Sequence, residues 1–144
     1  MIDRENRNRT AELIRSLSSG LISNDEFEDK IPESDDPAIS EIFSHGAWCL
    51  YSDMKEYKLK GKDALCKADR SIIARWVLFL KSDIDYRWPS ASFKESVYKA
   101  FTLGVFGQST LDKWDEFGDS QYWPFSSKEQ FESADKGYLG STNT

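Results

Sequence analysis

Histidine occurs once in this chain of 144 residues and cysteine twice, and these two scarcities exclude more chemistry than any motif present points to. A structural zinc site takes about four ligands, a catalytic one about three and a water. His45 is the single imidazole available to either. It lies four residues before Cys49, which puts both on neighbouring parts of one helix face, but no carboxylate is spaced to complete a ligand set. Neither a metal nor a cofactor is expected. Cys49 and Cys66 are too few for a disulfide framework and fit a reducing compartment. Both fall on expected helices, where they read as small buried hydrophobes. The chain also lacks a glycine-rich phosphate loop, a nucleophile elbow and a cysteine cluster; "LGVFG" reads as a helix end. The balance leans against an enzyme.

Long apolar runs are missing too. The longest, "WVLFL", is far short of the roughly 18 residues that suggest a membrane span. The opening "MIDRENRNRTAELIRSLSSG" is charged and has no apolar core of roughly 7–15 residues, so no signal peptide is expected. These absences describe a soluble, cytoplasmic chain with no membrane partner. Positive charge is in deficit: Lys and Arg number 19 against 25 Asp and Glu, giving −6 and a pI near 4.9. An acidic surface repels phosphate backbones, so nucleic acid is not an expected ligand. A basic protein partner is the better electrostatic match, although acidity also serves solubility.

Aromatic rings are abundant. They make up 14% of the chain, as five Trp, six Tyr and nine Phe, within an apolar fraction of only 39%. Each buries on the order of 150–250 Å², so a few large groups can build the core. Their spacing is helical. Leu13, Leu17 and Leu21 recur at four-residue intervals and stop at Gly20. Ser23 with Glu26 forms a capping box, and Ile22 is placed to staple Phe27. Asp36 and Pro37 open a third helix, whose stripe runs through Ile39, Ile42, Phe43, Gly46, Ala47 and Leu50. Tyr57 and Leu59 alternate with charges, as in a short strand or extended arm. From about 63 to 82 the chain is apolar nearly all round, with Leu65, Ala68, Ile72, Ile73, Trp76, Val77 and Leu80 on a wide face, which marks a buried central helix. Further capping boxes at Ser92/Glu95 and Ser126/Glu129 open two more helices. "STLDKWDEFG" reads as a short one with Leu111 and Trp114 inward, and Gly137 ends the last. The expected fold is all-α, a single-domain bundle of six or seven helices: a hairpin over 1–31, a main core over 35–137 and a frayed tail over 138–144.

Several residues are candidates for function. Asp83 and Asp85, beside Tyr86, Arg87 and Trp88 at the end of the central helix, form the most suggestive polar group. Paired carboxylates do acid–base work or glycoside hydrolysis at suitable separations, but aspartate and proline equally build a helix-terminating loop. Arg75, beside Trp76, reads as a partly buried guanidinium paired with an acid. His45 is either a boundary histidine or a base. With Asp83, Asp85 and Arg75 it makes up the alternative reading, a small-ligand binder or hydrolase. Tyr122, Trp123 and Phe125, in "DSQYWPFSS", together with Tyr86 and Trp88, are binding candidates if exposed and core closures if buried.

The stretch "AELIRSLSSGLISNDEFEDKI", Ala11 to Ile31, resembles the SHOCT domain, a short helical hairpin. Leu13, Leu17, Gly20, Ile22, Ser23, Glu26, Phe27 and Lys30 match its pattern. The resemblance departs in lying at the N-terminus and ending in Pro32. It implies oligomerisation or docking, hence a possible homo-oligomer. The remainder, with "WCLYSD", "ARWVLFLKSD", "YRWP" and "YWPF", resembles small uncharacterised bacterial proteins, some of which are thought to be immunity partners of secreted toxins. The leading expectation is a protein–protein interaction module that binds a basic partner through acidic and aromatic surface.

Overall fold

A computed structural model of the protein describes residues 1–88 and 117–138. Within them the chain is all-α. Its helices are α1 (Arg4–Ser18), α2 (Asn24–Lys30), α3 (Pro37–His45), α4 (Lys67–Lys81) and α5 (Lys128–Tyr138), with 3-10 turns at Ala47–Leu50, Gly61–Asp63 and Ser120–Tyr122. The helix expected over 92–104, most of that expected over 109–118 and the tail from 139 lie outside the described residues. Among the described residues there is no β-strand; the arm through Tyr57 and Leu59 makes one isolated antiparallel bridge, Ser23 to Lys58, and buries Leu59.

Local chemistry sets the helix ends. Asp3 caps α1 by accepting from the Asn6 N–H at 3.1 Å. The helix closes in a Schellman turn, with Leu21 N–H donating to Ser16 O at 2.9 Å and Gly20 N–H to Leu17 O at 3.1 Å. Gly20 has φ +77°, and a Cβ there would sit 2.9 Å from Leu59 O. Only glycine meets both demands. The turn carries Leu21 out of the stripe expected of it, and it is 69% exposed. Half of the first capping box forms: Ser23 Oγ accepts from Glu26 N–H at 3.2 Å, while the Glu26 carboxylate faces Lys30 at 3.9 Å. Asp36 caps α3 through Ala38 N–H at 3.0 Å, with Pro37 in the first turn. The last box is one residue later than expected. Ser127 accepts from Gln130 N–H at 3.1 Å, and Gln130 Oε1 accepts from Ser126 N–H at 2.9 Å. Gly137 lies within α5, which ends at Tyr138.

Two expectations change in the middle of the chain. The third helix stops at His45, and the Trp76 ring packs on the next residue, Gly46, where a Cβ would meet it at 3.0 Å; Ala47–Leu50 continues as a 3-10 turn. The central helix begins at Lys67 rather than about 63, with Cys66 at its N-cap. It packs against α1, α3 and α5. Its second half is buried all round from Trp76 to Leu80, as expected, whereas Ala68 and Ile72 in its first half are exposed. Cys49 and Cys66 are both exposed free thiols, not buried hydrophobes, since one sits on the short 3-10 turn and the other at a helix cap.

Candidate functional site

Polar side chains collect in three places. The first joins the N-termini of α1 and α3 to the C-terminus of α4. Arg7 follows the apolar stripe of α1 (Thr10, Ala11, Ile14, Leu17) and is driven inward with it. Its guanidinium is bidentate on Asp36, Nε to Oδ2 at 2.5 Å and Nη2 to Oδ1 at 3.2 Å, with each side chain only 1% exposed. Arg7 Nη1 donates to Ser82 O at 3.2 Å and to Ile84 O at 2.8 Å, and its charge lies 5.3 Å from the centre of the Phe79 ring. Burial pushes the Asp36 carboxyl up, but hydrogen bonds from Arg7, Asp3 N–H and Ala38 N–H and the Arg7 charge outweigh it and hold Asp36 below the usual carboxylate range. One turn earlier, Arg4 donates to Leu80 O at 2.8 Å and also to Ser82 O. Two arginines thus satisfy carbonyls at the negative end of α4.

This cluster takes up one member of the suspected catalytic group. Asp83 pairs with Arg4 at 2.8 Å and its side chain is 86% exposed. Asp85 is exposed too. Arg75 is not held by an acid in any ion pair among the described residues; its Nε donates to Trp123 O at 2.8 Å, and burial lowers its pKa. His45 Nε2 lies 2.6 Å from Glu41 Oε2 on one face of α3. Asp83, Arg75 and His45 thus have three different partners, Arg4, Trp123 and Glu41, and Asp85 shares the segment of Asp83 without a contact that joins the four. Sequence reasoning missed Arg7 and Arg4; a charge at the head of an apolar stripe was the readable signal.

The second place is aromatic. Trp123 Nε1–H donates to Tyr86 Oη at 3.0 Å, and Trp88 Nε1–H donates to Pro124 O at 3.0 Å. Trp123 stands edge-on to Trp76, and Phe125 edge-on to Phe79 and Phe131. Tyr86, Trp88, Trp123 and Phe125 are buried, and Tyr122 is half-buried against Phe131. These rings close the core, tying the C-terminal segment to the end of α4. Burial raises the Tyr86 phenol well above its ordinary value.

The third place faces water. Tyr51 Oη donates to Glu28 Oε1 at 2.7 Å, and Ser23 Oγ donates to Glu56 Oε2 at 2.7 Å. Around them the acids of α2 and of the 51–57 segment feel one another. Asp25 is raised by desolvation and then by Glu56, Glu28 and Asp29; Tyr51 is raised by burial and then by Glu28, Asp53 and Asp25. Among the described residues none of these five acids is in an ion pair, and no three of them come close enough to hold a metal ion. Lys55 lies over the Tyr57 ring, 5.7 Å from its centre. Trp48, three residues before Tyr51, is 45% exposed and Met54 is 89% exposed. No helix among the described residues is long and apolar enough to cross a membrane. Comparison with the models of known families, with curated proteins and with solved structures finds no match.

Proposed function

We propose that the chain is a protein-binding module that docks a basic partner through the face formed by α2 and the 51–57 segment. The observation that carries this reading is the group of acids around Tyr51 that are in no ion pair among the described residues; desolvation first, and then Glu56, Glu28 and Asp29, raise Asp25. Acids outnumber the cations of this face, Lys30 and Lys55, so it gains from a partner that brings the opposite charge. The acids are spread across a helix and a loop, which suits a macromolecular surface better than a chelated ion.

The SHOCT resemblance of the hairpin fits a docking role on the same face, since α2 is its second helix. Its first helix is committed elsewhere: the α1 stripe is buried in the core, so self-assembly through that stripe has no support. A toxin-neutralising partner in a reducing cytoplasm is the specific form of the proposal that agrees with the acidic balance and the two exposed thiols. The alternative, a hydrolase or ligand site made of Asp83, Asp85, Arg75 and His45, has no observation in its favour. Affinity purification of the natively expressed chain, with quantitative mass spectrometry, tests the reading. Recovery of a basic protein in near-stoichiometric amount is the expected outcome; recovery of none contradicts it.

A further inference from the structure

We infer that Arg75 and Tyr122 form a binding site for a small-molecule oxyanion, a carboxylate or a phosphate, between α4 and the Ser120–Tyr122 turn. The site uses no residue of α2 or of the 51–57 segment. Arg75 is half-buried, and its charge is unbalanced. It enters no ion pair among the described residues, and no acid among them is felt at its guanidinium. Buried charges are ordinarily paired, as this chain shows at Arg7, which meets Asp36 and two carbonyls. Arg75 has one acceptor among the described residues, Trp123 O, which takes its Nε–H at 2.8 Å.

That one bond decides which edge is left for a ligand. With Nε–H spent, the Nη1 and Nη2 groups remain side by side, and a planar fork of this kind meets two oxygens of a carboxylate or phosphate at once. The edge is held in place. Trp123 is buried, its Nε1–H donates to Tyr86 Oη at 3.0 Å, and Trp88 Nε1–H donates to the adjoining Pro124 O at 3.0 Å. Tyr122 is the ionisable neighbour that Arg75 feels. Its ring centre lies 5.8 Å from that of Phe131. Its backbone is fixed by Tyr122 N–H donating to Asp119 O at 3.0 Å and Phe125 N–H donating to Tyr122 O at 2.8 Å. The Tyr122 phenol has no hydrogen-bond partner among the described residues, so its O–H is a further donor near the guanidinium. The acid of the same turn, Asp119, is engaged locally, where it accepts from Gln121 N–H at 3.1 Å. Donors without a competing negative charge suit an oxyanion, and their ordered backbone lowers the entropy lost when it binds.

The test titrates the full chain with sodium acetate and, separately, with sodium phosphate, at constant ionic strength set by chloride. Side-chain Nε–H signals of the arginines are followed by NMR, with the exposed Arg9 and Arg15 as comparators. A saturable shift at Arg75 with at least one of the two anions, absent at Arg9 and Arg15, is the result expected, and the tighter anion names the ligand class. Affinity should fall about tenfold or more in Arg75→Lys, which keeps the charge but not the fork, and about tenfold in Tyr122→Phe. It is read from the Tyr122 backbone amide in the first variant and from Arg75 itself in the second. Tyr122→Phe keeps the ring that packs on Phe131, so this arm stands even where Arg75→Lys alters folding. Shifts that rise linearly with anion and appear equally at Arg9 and Arg15 overturn the site. So does the absence of any shift at Arg75 with both anions, or an affinity unchanged by either substitution.

Discussion

Arg7 shows how one side chain can couple three helices. A guanidinium removed from water is costly unless its donors are met and its charge is balanced; here Asp36, two carbonyls and the Phe79 ring do both. Removing one partner leaves the other buried and uncompensated. Arg7→Leu and Asp36→Ala are each expected to lower unfolding free energy by about 3–5 kcal/mol, measured by urea denaturation. A double-mutant cycle should show coupling of about 0.5–3 kcal/mol. The pH dependence has a defined sign. Asp36 is held below its ordinary value, so its contribution is present above about pH 4 and is lost as the pH falls through the lowered folded value. Asp36→Asn should flatten that acid limb of the stability curve, and an unchanged slope would show that other carboxylates produce it. Asp36 was legible in the sequence as a cap. Its partner was not, because Arg7 is distant in the chain and the carbonyls it bonds leave no trace in residue identity. The expectation of a buried arginine–acid pair was attached to Arg75; the pair exists, but at Arg7.

At the scale of elements, the Gly20 stop and the Asp36–Pro37 start hold as read, whereas the last cap moves one residue to Ser127 and Gly137 falls inside α5. Gly20 ends α1 as the pattern suggested, while Gly46, expected inside a stripe, follows the end of α3 and has a ring from α4 resting on it. Such an intrusion has no local signature. Two glycines with positive φ separate the causes experimentally. At Gly61, φ is +61° and a Cβ would meet nothing within 4 Å, so Gly61→Ala should cost about 1–2 kcal/mol from backbone conformation alone. At Gly20 the same substitution adds a clash with the Leu59 and Lys60 backbone and side chain, so a clearly larger loss is expected in thermal or urea unfolding. Equal losses would mean that the 58–60 arm yields without resistance. The aromatic segment after Ser120 behaves as an element of its own. Phe125 is fully buried against Phe79 and Phe131, and Phe125→Ala should cost about 3–5 kcal/mol.

At the scale of the molecule, the parts divide between holding and presenting. Arg4 and Arg7 clamp the end of α4, and Trp123 and Phe125 return the C-terminal segment to the same region. Asp25, Glu28, Asp29, Asp53 and Glu56 of α2 and the 51–57 segment are exposed and in no ion pair among the described residues. The all-α class and the buried second half of the central helix were legible because helical periodicity repeats across long segments. The outward face was less so. Composition showed the acidic excess, but only the fold brings the acids of α2 beside those of the loop around Tyr51. The measurement that bears most directly on this account is the affinity of the purified chain for its captured partner as a function of salt, with and without Asp29→Lys and Asp53→Lys. Both positions are exposed, so the fold is undisturbed. The account predicts that affinity falls steeply with rising salt and that the double reversal both weakens binding and flattens the salt dependence. Binding indifferent to salt and to the reversal would contradict it.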